Sequence, residues 1–117
     1  MTTMVVIPAR LESSRLKNKV LFELNGKTIL QRVYEQASKA KGIDAVYIAT
    51  DHHEILRSCE SYTSNVMMTS PKHLSGTDRI AEAVLELSCD LVVNVQGDEP
   101  FISPELISFI AQTTKKT

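Results

Sequence analysis

Hydrophobic positions along the chain follow two rhythms. Residues 4–7 (MVVI), 45–49 (AVYIA), 66–68 (VMM) and 91–95 (LVVNV) are short, near-continuous apolar runs, the pattern of strands buried on both faces. Between them the period lengthens. Over 28–41, Ile29, Leu30, Val33, Tyr34, Ala37 and Ala40 recur at helical spacing and predict an amphipathic helix. Asp51 followed by Glu54 has the form of a capping box and predicts a second helix running to residue 61. Thr77 or Asp78 is placed to cap a third, with Ile80, Ala81, Val84 and Leu85 on its buried face. Ser103, Pro104 and Glu105 suit the cap and the first two positions of a fourth, since proline lacks only a donor the first turn does not use.

Strands alternating with helices predict an α/β fold: a mostly parallel sheet with right-handed crossovers and helices on both faces. A strand order of 3-2-1-4 makes the first and fourth runs neighbours. Their loops then flank the switch point, where open parallel sheets take ligands beyond the carboxyl ends of the strands. In that order the fourth run, apolar on both faces, is an edge open to pairing. The expectation is that the chain is the front part of a longer protein, or that it pairs with a partner along that edge.

Size bounds the chain to one domain, 1–117, with a sizeable core. Hydrophobic residues at 43%, charged residues at 23% and a net charge of -1 exclude a disordered or nucleic-acid-coating protein. Cys59 and Cys89 fall in no metal-ligand spacing and are too few for a disulfide scaffold, so free thiols in a reducing compartment are expected. No apolar run approaches the roughly 20 residues of a membrane span, and 4–7 is too short for a signal-peptide core. The cytoplasm is the expected compartment, with neither membrane nor nucleic acid as partner.

Charge is uneven locally. The segment 7–19, IPARLESSRLKNK, sets Arg10, Arg15, Lys17 and Lys19 against the single acid Glu12, in the loop after the first strand. The only glycines are Gly26, Gly42, Gly76 and Gly97, so neither a P-loop nor a Gly-x-Gly-x-x-Gly turn is present. Guanidinium forks and ammonium groups suit a polyphosphate, although a solvated surface loop would carry the same residues. Gln96-Gly97-Asp98-Glu99-Pro100 ends the fourth run in adjacent carboxylates. Mg²⁺ takes one or two carboxylates plus phosphate oxygens and water, and Asp98, nearer the strand, is the better ligand; a turn with solvated acids reads equally simply. His73 to Arg79 places small polar groups and a glycine before a helix, where they could read a base or a sugar, and ordinary capping explains the same residues. His52 and His53 are sequence neighbours that do not share a helix face, which favours a solvated first turn over a metal site.

Taken together, "VVIPARLESSRLKNK", "ATDHHEI", "MTSPKHLSGTDRIAEAV" and "VVNVQGDEP", in this order and spacing, closely resemble the 3-deoxy-manno-octulosonate (KDO) cytidylyltransferases of bacterial lipopolysaccharide biosynthesis. The similarity runs over essentially the whole chain. It implies a Rossmann-like nucleotidyltransferase fold, CTP and KDO as substrates, Mg²⁺ as cofactor, and CMP-KDO and pyrophosphate as products. By the same resemblance Ala9, Arg10, Arg15 and Lys19 match the triphosphate-binding opening, with Arg10, Lys19 and Asp98 as the catalytic set. Asp98 matches the metal-binding aspartate. Ser75, Gly76, Thr77 and Arg79 fall in the segment for nucleotide recognition, and Gln96 lies where the sugar approaches.

Two departures stand out. The family reads Arg-Leu-Pro-Gly-Lys-Pro-Leu where this chain has Arg15-Leu16-Lys17-Asn18-Lys19-Val20-Leu21, losing two prolines and a glycine that would restrict the loop. Family chains also run to about twice this length. Their remaining half carries a second metal-binding aspartate, most sugar contacts and the homodimer surface, so the oligomeric state of this chain stays open. An 8-amino analogue of KDO as acceptor, and a non-catalytic nucleotide-binding or interaction remnant, are the alternatives.

Overall fold

The computed structural model of the chain describes residues 3–9, 19–69, 79, 90–97 and 101–115. Strands β1 (Thr3–Pro8), β4 (Ala45–Thr50), β5 (Val66–Met68) and β6 (Leu91–Asn94) form one parallel sheet in the order β5-β4-β1-β6. This is the order 3-2-1-4 expected from the four apolar runs. Val5 sits opposite Val46 on one side and Val93 on the other, so β1 is central.

The lack of alternation in the runs has a direct cause. On one face Val5, Ile7, Val46, Ile48, Val93 and Val95 form the main core; on the other Val6 and Ala49, both without solvent exposure, pack with Met67 and Val92. Successive residues of a strand point to opposite faces. Both faces here are apolar.

Helix α1 (Ile29–Ser38) buries Ile29, Leu30, Val33 and Ala37 on the main core. Thr28 caps it, its hydroxyl accepting from the Gln31 amide at 3.0 Å. It stops short of residue 41, and the chain then turns through Gly42 at φ 81°. Helix α2 (His53–Cys59) buries Ile55 and Cys59 against the same core. Its cap corrects the sequence reading: His52 Nδ1, not the Asp51 carboxylate, accepts from the Glu54 amide at 3.2 Å. Asp51 is turned instead toward the guanidinium of Arg79, 3.6 Å away. Helix α3 (Pro104–Lys115) starts as expected, Ser103 Oγ accepting from the Leu106 amide at 3.3 Å and donating to Glu105 Oε2 at 2.8 Å. Ile107 brings it onto the main core, so the three described helices share one face of the sheet. The third expected helix, with Ile80, Ala81, Val84 and Leu85, lies outside the described residues except for Arg79, which is helical.

A short hairpin was not anticipated. Strands β2 (Glu23–Leu24) and β3 (Lys27–Thr28) pair antiparallel across Asn25 and Gly26, which both have positive φ, 55° and 85°. Asn-Gly is the favoured pair for such a tight turn. Arg32 on α1 donates to the carbonyl oxygens of Leu24 and Asn25, and Lys27 pairs with Glu35 at 3.0 Å, fixing the hairpin to the helix. No helix among the described residues is long and apolar enough to cross a membrane.

Candidate nucleotide site at the carboxyl ends of the strands

Backbone pairing runs past the ends of the strands and builds a firm rim. The Ala9 amide donates to the Ala49 carbonyl at 2.9 Å, Val95 to Val6 at 3.2 Å, Gly97 to Pro8 at 3.3 Å and Thr69 to Thr50 at 2.8 Å. The tips of β1 and β6 therefore remain bonded to each other up to Pro8 and Gly97. Gly97 is what allows this approach. A Cβ there would stand 2.9 Å from the Pro8 carbonyl oxygen and 3.4 Å from both Ala9 Cβ and Leu30 Cδ1, and backbone approach of that kind excludes any side chain.

The basic segment is anchored at both of its ends. Before it, Ala9 is buried at the rim; after it, Lys19 opens a 3-10 turn (Lys19–Leu21) whose Val20 joins the core. Of the expected site residues, Ala9, Lys19, Arg79 and Gln96 are among the described ones. Gln96 is exposed at the rim, its amide donating to Asn94 Oδ1 at 3.2 Å. Arg10, Arg15, Ser75, Gly76, Thr77 and Asp98 lie outside the described residues, as does Cys89.

Arg79 is the largest fully buried side chain, 1% exposed. Its Nη1 donates to Thr69 Oγ1 and lies 3.6 Å from Asp51 Oδ1, while Nε has no hydrogen-bond partner among the described residues. Asp51 and Thr69 each follow directly on a strand, β4 and β5, so the cluster belongs to the same rim. Sequence reasoning missed both partners. The signal was available: Asp51, like Asp98, is an acid at the carboxyl end of a buried apolar run.

Other chemistry-bearing groups have structural employment. His52 is a helix cap and His53 is exposed. Among the described residues no group of three or more His, Cys, Asp or Glu is arranged to hold a metal ion. Cys59 is buried; burial pushes its thiol above the usual range, and it accepts from the Tyr62 hydroxyl at 3.2 Å. A groove of 310 Å³ between α1 and α3, lined by Lys39, Lys41, Glu105, Ser108 and Phe109, contains no residue of the rim.

A parallel sheet whose order reverses between β1 and β6, with polar residues following the strands at their carboxyl ends, defines an α/β protein of the class whose ligands sit at the switch point. Residues 4–117 match the cytidylyltransferase family profile, and the chain belongs to that family. It is 53% identical over 111 residues to the 3-deoxy-manno-octulosonate cytidylyltransferase of Francisella tularensis subsp. novicida, covering 92% of this chain and 44% of that protein. It is 50% identical over 107 residues to the 8-amino-3,8-dideoxy-manno-octulosonate cytidylyltransferase of Shewanella sediminis, covering 89% and 44%. Among solved structures, a CMP:2-keto-3-deoxy-manno-octonic acid synthetase complexed with CTP superposes with a TM-score of 0.95 at 36% identity, over 99% of this chain and 48% of that one. The chain thus spans less than half the length of these relatives.

Proposed function

We propose that the chain is the nucleotide-binding half of a KDO cytidylyltransferase, acting in the cytoplasm. The contact that carries this reading is Gly97 against Pro8. Asp98 is the residue after Gly97, and Arg10 is the residue after Ala9, which itself follows Pro8 and borders the same contact, so each is one chain step of about 3.8 Å beyond a rim residue. The cationic loop and the carboxylate therefore leave from one point on the rim.

In the proposed reaction the anomeric hydroxyl of the sugar gives up its proton to solvent and its oxygen forms a bond to the α-phosphorus of CTP. The bridging bond to the β-phosphate breaks, and pyrophosphate leaves with the electron pair. Arg10, Arg15 and Lys19 hold the triphosphate and neutralise the charge that builds on the leaving group, a large contribution when the cations are already in place. Ser75, Gly76 and Thr77 present backbone amides and hydroxyls to the nucleoside, and Gln96 faces the incoming sugar. Hard oxygen donors at a fixed strand end fit Mg²⁺, which completes its shell with phosphate oxygens and water and so needs no three-residue protein cage. Asp98 would hold it there. Bound Mg²⁺ supplies charge neutralisation across the triphosphate.

With calorimetry on the 117-residue chain, Asp98→Ala should abolish Mg²⁺-dependent CTP binding; unchanged metal dependence contradicts the assignment. Little or no pyrophosphate is expected from CTP plus KDO with this chain alone, because the sugar contacts and the homodimer surface of the longer relatives belong, on this reading, to their other half. Robust release would overturn that division of labour. The 50% identity to the 8-amino-sugar enzyme supports a second acceptor. Competition between the two sugars on a chain of the relatives' length separates these.

A further inference from the structure

We propose that the outer face of α1 and α3 is a docking surface for an acidic amphipathic helix of another protein, which seats apolar side chains against Phe101 and Phe109 and sets carboxylates against Arg32, Lys39 and Lys41. The inference does not depend on the nucleotide reading, because no rim residue lines this face. Two aromatic rings stand out from it, Phe101 85% exposed and Phe109 66%. Each borders a groove. One, of 310 Å³, lies between the end of α1 and the start of α3, beside Lys39, Lys41, Glu105 and Phe109. The other, of 330 Å³, lies along α1, beside Arg32, Gln36, Lys39 and Phe101. Lys39 lines both, so the two grooves adjoin. Their walls are tied together: the Gln36 side-chain amide donates to the Ile102 carbonyl at 2.9 Å, and the Lys41 amide to Ser108 Oγ at 2.7 Å. A surface held in this way costs a binder little ordering.

Charge selects the occupant. Four cations, Lys27, Arg32, Lys39 and Lys41, line the grooves against two carboxylates, Glu35 and Glu105. Lys27 and Glu35 neutralise each other at 3.0 Å. Arg32 and Lys39 donate to uncharged oxygens, the Leu24 and Asn25 carbonyls and Gln36 Oε1, which leaves their charge uncompensated. The face is therefore positive on a chain whose net charge is -1. A second copy would bring the same surplus against it, and like charges repel across an interface. A nucleic-acid strand would meet two carboxylates and too few cations for its regularly spaced phosphates. An acidic helix fits both features, since helix-in-groove recognition uses apolar anchors at i, i+3, i+4 and i+7 and leaves the flanks free to carry charge. Exposed aromatic side chains are the usual centres of such contacts.

Fluorescence anisotropy on the 117-residue chain tests this with a labelled synthetic helix, Leu and Phe on an i, i+3, i+4, i+7 stripe and Glu at its other positions. Saturable binding that weakens with added salt is expected, and a scrambled peptide of the same composition should bind about tenfold more weakly. Phe101→Ser and Phe109→Ser should each cost about tenfold, and Lys39→Glu with Lys41→Glu should remove the salt dependence. In the ¹⁵N-labelled chain the helix should shift the Gln36, Lys39 and Phe109 amides and leave Ala9 and Gly97 unmoved. If a serine variant fails to fold, the paired lysine variant and the amide shifts carry the comparison. Absence of saturable binding, equal binding of the scrambled peptide or shifts confined to the rim overturns the proposal. So does oligothymidine that binds as tightly as the helix, or a free chain that dimerises through this face and separates in Phe109→Ser.

Discussion

Gly97 and Asp51 show how much a single position can settle. At Gly97 the constraint is space. An alanine there drives a methyl to 2.9 Å from backbone, which cannot swing away as a side-chain end can. Gly97→Ala should destabilise the chain by about 1–3 kcal/mol in urea denaturation and weaken CTP as the rim parts. A loss under about 0.5 kcal/mol, the range of a neutral surface change, would contradict the tight contact. Asp51 was legible as an acid near a helix start but not in its role. Capping potential is shared by several residue types, and a carboxylate beside a buried guanidinium gains more from the charge than from a helix amide. His52 takes the amide because its neutral ring nitrogen accepts as well.

Cys59 and Tyr62 set a residue-scale pH dependence. Burial raises the thiol above its ordinary 9.0 and the Tyr62 hydroxyl above its ordinary 10.0. Both groups thus release protons more readily in the unfolded chain than in the folded one. Their contribution to stability is fully present below pH 9 and is lost as pH rises beyond it. Urea midpoints should be level in this respect between pH 7 and pH 8 and lower at about pH 10. In the native state at pH 8, a thiol reagent should modify Cys59 only at the rate of unfolding; immediate labelling would contradict its burial.

Elements with long periods were readable, and very short ones were not. The four apolar runs identified the parallel strands because burial on both faces removes any competing pattern. The stripe from Ile29 to Ala37 identified α1 because only a helix brings those positions together. The hairpin has two residues per strand, too few to show a period, and only Asn25-Gly26 marked it. Gly26 differs in kind from Gly97. Nothing lies within 4 Å of an added Cβ, yet φ is 85°. Gly26→Ala should therefore cost about 1–2 kcal/mol through backbone conformation alone. Gly26→Asn should cost less, since asparagine tolerates that region; equal losses for the two would point to a steric cause.

At the scale of the whole molecule, strand order and the meeting of the first and fourth runs followed from sequence, because βαβ handedness and burial leave few arrangements. The expected edge is found: β6 ends the sheet among the described residues. Phe101, Leu106 and Phe109 are exposed in a chain that spans 44% of its relatives' length. The site was legible only in part, since spacing marks which residues end a strand but not which side chains meet across the rim. The fold and the proposed ligand together predict a selective thermal shift. CTP with Mg²⁺ at about 100 times its dissociation constant adds about 2.7 kcal/mol, a shift of several degrees, and ATP adds less. Stability blind to nucleotide, with dimers by light scattering, would favour an interaction module instead.

The central claim is spatial: the tips of β1 and β6 share one metal–triphosphate site. Mn²⁺ replaces Mg²⁺ at oxygen-rich sites and broadens nearby amide resonances through its unpaired electrons. Titrating Mn²⁺ with CTP into the ¹⁵N-labelled chain should broaden the Ala9 and Gly97 amides together at the same low ratio, and sparing both in Asp98→Ala would locate the metal. Broadening of one without the other, or of neither while CTP binds, would contradict the account.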